Sequence, residues 1–154
     1  MRQIAPAVRW ATLEVVLRDA TGKLDSSGER PFSDALPGDG PAAAKTAIQK
    51  MRLVESQGWP AALLNVRDEH GKPRIEQSDE EEPPIYILKC KPACWRLYFY
   101  VDHGRHFFVY LYAKCKRKQR RDPEDSVRAR RIRASLGPGG DGIDYFRFPD
   151  RVDV

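Results

Sequence analysis

The chain has 154 residues, with 41% apolar and 32% charged side chains and a formal net charge of +5. That suffices for one domain with a core that needs no disulfide or metal staple, and the 12 prolines and 11 glycines mark sizeable loops. No apolar run approaches the ~20 residues of a membrane span, and residues 1–10 lack the apolar stretch of a secretory signal, which predicts a cytoplasmic protein. Three cysteines at irregular spacing (Cys90, Cys94, Cys115) are read as reduced and structural. The alternative is a zinc site drawing further ligands from His103 or His106, though no ribbon-type ligand pairing is present.

In chain order, residues 10–17 have the β-branched and aromatic content of a strand, with a helix left open. Residues 19–40 are turn-rich, with one short helical turn over 32–36. Residues 41–57 form an amphipathic helix, because Ala44, Ala47, Ile48, Met51 and Val54 recur at helical spacing; Gly58 is placed to end it. Residues 61–66 are a short apolar segment, and residues 68–84 read as a mobile acidic loop.

Residues 85–91, 95–101 and 106–113 then read as three successive strands. With His103-Gly104 as a two-residue turn, Arg96 faces Leu111, Tyr98 faces Val109 and Tyr100 faces Phe107. Alternation puts Trp95, Leu97, Phe99 and Val101 with Phe108, Tyr110 and Tyr112 on one face. Arg96, Tyr98, Tyr100, Phe107 and Val109 share the other, which, carrying the charge, is the open face.

From Lys114 to Arg133, ten Lys and Arg residues stand against three acids, the footprint of a polyanion binder. A helix follows, with Asp122 as N-cap, Pro123 at its first position, Glu124 and Asp125 suiting its dipole, and Gly137-Pro138 ending it. The tail, residues 139–154, holds Ile143, Tyr145, Phe146 and Phe148, which either dock back on the domain or serve a partner.

The block Ile-Leu-Lys-Cys-Lys, then Trp-Arg-Leu-Tyr-Phe-Tyr-Val, Phe-Val-Tyr-Leu-Tyr-Ala-Lys-Cys-Lys-Arg-Lys-Gln-Arg-Arg-Asp-Pro and a helix, residues 89 to about 136, resembles the RelE/HigB superfamily of type II toxin ribonucleases, most of all its phage-derived host-killing branch. Residues 41–58 match loosely and the first forty only in outline. The resemblance implies an α+β, RelE-like domain over residues 1–138: a mostly antiparallel sheet, helices packed on one face and a basic cleft on the other. Its matching core is 41–136, its acidic loop 68–84, and residues 139–154 are a tail.

The resemblance further implies endoribonucleolytic cleavage of mRNA, on or off the ribosome, without metal or cofactor, and neutralisation by an antitoxin protein. Arg96 falls on the arginine that contacts the scissile phosphate, Lys89 on a catalytic lysine, and Arg117-Lys118 on a Lys-Lys pair, so Arg96, Lys89 and Lys118 are the catalytic candidates. Ile87 replaces a basic residue of some members, and no Tyr or His occupies the late position that serves some as the acid.

The residues themselves suit this chemistry. Cleavage needs a base for the 2′-hydroxyl, cations on the phosphorane and an acid for the 5′-oxygen. A guanidinium pairs bidentately with phosphate oxygens, and Lys89 serves as base if neighbouring cations depress its pKa. Tyr98, Tyr112, His106 and Tyr145 remain open as the acid. Lys91, Lys114, Lys116, Arg117, Arg120 and Arg121 would hold RNA phosphates, with Tyr98 and Tyr100 stacking bases. The acids at 76–82 would shield the cleft internally. Two other classes stay open: a catalytically inert nucleic-acid binder, and a phage-type interaction module working through its loops and aromatic tail.

Overall fold

The computed structural model describes residues 9–17, 28–36, 41–78, 82–90, 95–115, 123–136 and 142–148. Strands are β1 (Ala11–Val15), β2 (Ile75–Gln77), β3 (Tyr86–Cys90), β4 (Trp95–Asp102), β5 (Phe107–Cys115) and β6 (Ile143–Tyr145). Helices are α1 (Pro31–Ala35), α2 (Pro41–Gln57), α3 (Ala61–Asn65) and α4 (Pro123–Ala134). The protein is α+β, with a six-stranded, mostly antiparallel mixed sheet in the order β2-β3-β4-β5-β1-β6 and four helices against it. Among the described residues only β1 with β5 pairs in parallel. Among the described residues no helix is long and apolar enough to cross a membrane.

The β4–β5 hairpin anchors the sheet, and its register departs from the expected one. Asp102 pairs with Phe107, leaving a four-residue loop, 103–106, in place of a two-residue turn. His106 takes φ 60°, a left-handed conformation, and its ring meets Trp10 edge-on at 5.0 Å. The longer loop shifts the pairing by two, and a bulge between Tyr98 and Phe99 shifts it by one more, so Arg96 faces Lys114 and Tyr98 faces Tyr112. A bulge sets two successive residues against one partner. Leu111 and Tyr112 thus both join the Tyr98 side, and the expectation that Tyr112 sits on the Trp95 face is corrected.

Both faces of the sheet are covered. On one, Leu97, Phe99, Phe108 and Tyr110 pack with Phe32 of α1 and Ile48, Met51 and Val54 of α2. On the other, Ile87, Tyr98, Val109 and Leu111 pack with Ala129 and Ile132 of α4. Helices on one face only, with the Arg96 face open, is therefore a reading the structure corrects. A strand with one apolar and one mixed face signals one buried side; it does not reveal that a basic helix carries a narrow Ala/Ile stripe of its own.

Helix α2 has the expected bounds. Gly58 ends it with φ 71° and an N–H donating to the Val54 carbonyl at 3.0 Å; a Cβ there would lie 2.7 Å from the Trp10 indole nitrogen. The acidic segment after α3 is more ordered than expected. Asp68 accepts from the backbone N–H groups of His70 and Lys72, at 2.8 Å each, closing a turn that leads into β2. Those donors hold its carboxyl below the usual range.

Residues read as a tail contribute β6, which pairs with β1, and Phe146, which enters the core beside Phe32 at 5.6 Å. This pairing sets Glu14 opposite Asp144, two like charges bridged by Arg30, 2.7 Å from Asp144 and 3.5 Å from Glu14. The Ser33 hydroxyl donates to Glu14 at 2.6 Å. Burial pushes the Glu14 carboxyl up despite Ser33 and Arg30, whereas the Arg30 hydrogen bond pulls Asp144 down. A raised carboxyl contributes stability that is full below its unfolded pKa and is lost as pH rises through the folded one. Glu14→Gln, which keeps an acceptor for Ser33, should therefore gain stability relative to wild type as pH rises above the ordinary glutamate range. Urea unfolding from pH 4 to 8 checks this, and a difference that shrinks with pH would refute it.

Cys90 is free, and burial pushes its thiol up to about 12. Cys115 is disulfide-bonded, which corrects the reading of all three cysteines as reduced.

Candidate nucleic-acid interface

Three basic residues line up across the middle of the sheet. Lys89 of β3 pairs with Arg96 of β4, and Arg96 pairs with Lys114 of β5. Neighbouring strands lie ~4.8 Å apart and directly opposed side chains share a face, so the three form one row on the α4 side. Expectations drawn from single strands could not align them, since the alignment depends on the loop length and the bulge.

Each end of the row meets an acid. Lys89 Nζ lies 3.0 Å from Glu76 Oε2. Glu76 faces Ile87 across the β2–β3 pair, which makes it the diagonal neighbour of Lys89 and within reach of a long side chain. Lys114 Nζ lies 3.3 Å from Oδ1 of Asp125, a carboxylate only 3% exposed in the first turn of α4. Arg96, half-buried, stands between the two lysines. A row of three cations across three adjacent strands suits a phosphodiester, whose oxygens pair with a guanidinium fork while flanking ammonium groups add charge.

The tyrosines behave differently from expectation. Tyr98 is fully buried, packed 5.9 Å from Tyr112, and its burial corrects the idea that it stacks bases. Tyr100 is half-buried, with the Arg133 guanidinium 4.1 Å above its ring, so that ring face is already occupied. Burial pushes the Tyr100 phenol up and the Arg133 guanidinium down. Of the four acid candidates, Tyr98 is enclosed and Tyr112 is 8% exposed beneath Arg128. His106 lies at the far end of the hairpin from Arg96. Tyr145 is 61% exposed but on β6, beyond β1. Tyr98 and Tyr112 thus share the Arg96 face one residue pair along the strands but are buried, whereas His106 and Tyr145 lie elsewhere on the sheet.

Lys91, Lys116, Arg117, Lys118, Arg120 and Arg121 lie outside the described residues, as does the Asp122 cap. Sequence reasoning offered the acids at 76–82 as a shield without pairing Glu76 to Lys89, and it missed Asp125 as a partner of the row and Arg128 and Arg133 as cations laid over Tyr112 and Tyr100. Only the three-strand register carries the first signal. The second needs the docking of α4, which is held by a buried hydrogen bond between the hydroxyls of Ser78 and Ser126. At the other end of the helix, Arg130 and Arg133 both donate to the Pro83 carbonyl at 3.2 Å. Among the described residues no cluster of three or more His, Cys, Asp or Glu is arranged to hold a metal ion.

No protein-family model matches this chain, and a search of curated proteins finds no match.

Proposed function

We propose that the protein is a RelE-like, toxin-type endoribonuclease that cleaves mRNA by metal-free attack of a 2′-hydroxyl on the adjacent phosphate. The observation that carries this reading is the cross-strand row Lys89–Arg96–Lys114. In the proposed reaction a base takes the 2′-hydroxyl proton and the 2′-oxygen attacks phosphorus. The P–O5′ bond then breaks and the 5′-oxygen gains a proton, leaving a 2′,3′-cyclic phosphate and a 5′-hydroxyl. Arg96 holds the phosphate oxygens, and an in-line displacement along the row has one lysine on each side of it. The wider setting belongs to the same proposal: a cytoplasmic location, mRNA bound on or off the ribosome, Lys118 assisting at the phosphate, and an antitoxin covering the basic surface. The Cys115 disulfide points the other way on location, to an oxidising compartment.

Lys89 is a poor base as it stands, because an ammonium paired to a carboxylate has no lone pair to offer. The Glu76 carboxylate beside it has the lone pairs, and it also fits the internal shield expected of the acidic segment. One variant separates the roles. Glu76→Gln should raise single-stranded RNA affinity about two- to fivefold, the value of releasing a half-exposed ion pair. Cleavage should fall if Glu76 takes the proton and follow the gain in affinity if it only shields. Unchanged affinity in filter binding would end the shield reading.

A catalytically inert RNA binder is the second reading, favoured because the two acid candidates on the Arg96 face, Tyr98 and Tyr112, are buried. It expects binding that weakens steeply with salt, as counterions are released at each phosphate contacted, without new RNA ends. Mapping RNA 3′ ends after induced expression decides between the two.

A further inference from the structure

Lys114 belongs to two features. It ends the basic row, and it also lines a groove of about 780 Å³ between α4 and the adjoining strands β5 and β1. That volume lies within the range of small-molecule sites. The floor includes Tyr112, and the Arg128 guanidinium lies 4.8 Å above its ring. Tyr112 is 8% exposed whereas Arg128 is exposed. The ring therefore backs the guanidinium on one side, and both residues line the groove. Arg131, also exposed, stands one helical turn further along the same wall, and Glu124 stands one turn before it.

We propose that this groove is a nucleobase subsite for the nucleotide next to the phosphate held at Arg96. The inference rests on the RNA reading above and deepens it. A base is a flat π-surface with a hydrogen-bonding edge, and guanidinium planes stack on bases as aromatic rings do. Continuity through Lys114 makes the geometry economical: a strand whose phosphate lies on Arg96 delivers its neighbouring base to the groove across a single strand spacing. Arg128 supplies the stacking plane, and Arg131 meets the phosphate of the same nucleotide. Glu124, exposed on the groove wall, is acceptor-only when ionised. It favours a base edge with two adjacent N–H donors, which guanine presents on N1 and N2, over uracil, which presents one, while Asp125 stays with Lys114.

The test measures equilibrium binding of two RNA octamers, oligouridine and oligouridine with one central guanosine, by the intact protein and by Arg128→Lys, Arg128→Ala and Arg96→Ala. The wild type is expected to prefer the guanosine octamer at least fivefold, and Arg128→Ala to lose that preference. Arg128→Lys keeps the charge but not the plane, so it should also lose the preference while keeping the wild-type salt dependence. If Arg128→Lys behaves as wild type, or if the wild type binds both octamers alike, the groove is no base subsite even though the RNA reading stands. If neither Arg128→Ala nor Arg96→Ala alters binding of either octamer, the RNA reading itself fails, and the groove is left to a protein partner.

Discussion

Arg96→Ala should lower RNA cleavage by about 10²–10³-fold, the loss typical of removing one preorganised donor from a developing oxyanion. Arg96 is half-buried between Lys89 and Lys114 rather than in either apolar cluster, so its truncation opens no core cavity. The melting temperature should consequently move little while activity collapses. Arg96→Lys should recover part of the activity only, because an ammonium supplies charge without the two parallel donors of the guanidinium. The readout is the yield of 2′,3′-cyclic phosphate ends in cells induced for each variant, with growth followed alongside. Cleavage at wild-type rates in the alanine variant would remove Arg96 from the site and, with it, the meaning assigned to the row.

Phe146→Ala should cost about 3–5 kcal/mol of folding stability, the range for truncating a buried aromatic. Its ring packs against Phe32, which in turn packs against Tyr110 at 4.9 Å, so the cavity would open at the junction of β1, β5 and α1. Against a total stability of about 5–15 kcal/mol, that loss is large enough to read directly from a urea midpoint. Tyr145, one residue earlier and 61% exposed, serves as the control. Tyr145→Ala should shift stability by no more than about 0.5 kcal/mol. The contrast matters for function, because deleting residues 139–154 to probe a partner-binding tail would remove β6 and Phe146 together. Loss of activity on such a deletion would report unfolding. A point change at Tyr145 asks the partner question without disturbing the core, and impaired growth arrest in that variant with cleavage intact would favour the interaction module.

Local chemistry made much of the fold legible. The stripe from Ala44 to Val54 and the stop at Gly58 predict α2 as observed, and strand composition predicts β1, β3, β4 and β5. Register was not legible, because a left-handed His106 and a bulge opposite Tyr98 have no signature in a single sequence. A further miss was β2, whose three residues lie inside an acidic stretch and form a strand only because β3 offers an edge. For the candidate site, Arg96 and Lys89 stood out as charges within apolar strands. The acids at 76–82 were legible as a shield, but which of them meets which lysine was not, and Asp125 was missed, since Glu76 and Asp125 reach the row from β2 and α4, elements distant in the chain. Tyr98 was misjudged, and the cover over one face of Tyr100 went unseen, for one reason: the helix above them is itself densely basic and reads as surface.

The position of β1 has a consequence for how the protein comes into being. Its Leu13 is flanked by Val109 on one side and Tyr145 on the other, so β1 leaves the ribosome well before either of the strands that pair with it. Non-local pairings of this kind delay folding, because loop closure must precede any gain from contact. Until β5 and then β6 emerge, the nascent chain carries a bare apolar strand and an unfinished Glu14–Arg30–Asp144 bridge. Residues 86–115, which hold the whole basic row, can meanwhile pair among themselves as a local meander. Chain synthesis therefore assembles the charged row before the sheet beneath it is closed, and a truncated product would present the row on a scaffold exposed to proteolysis.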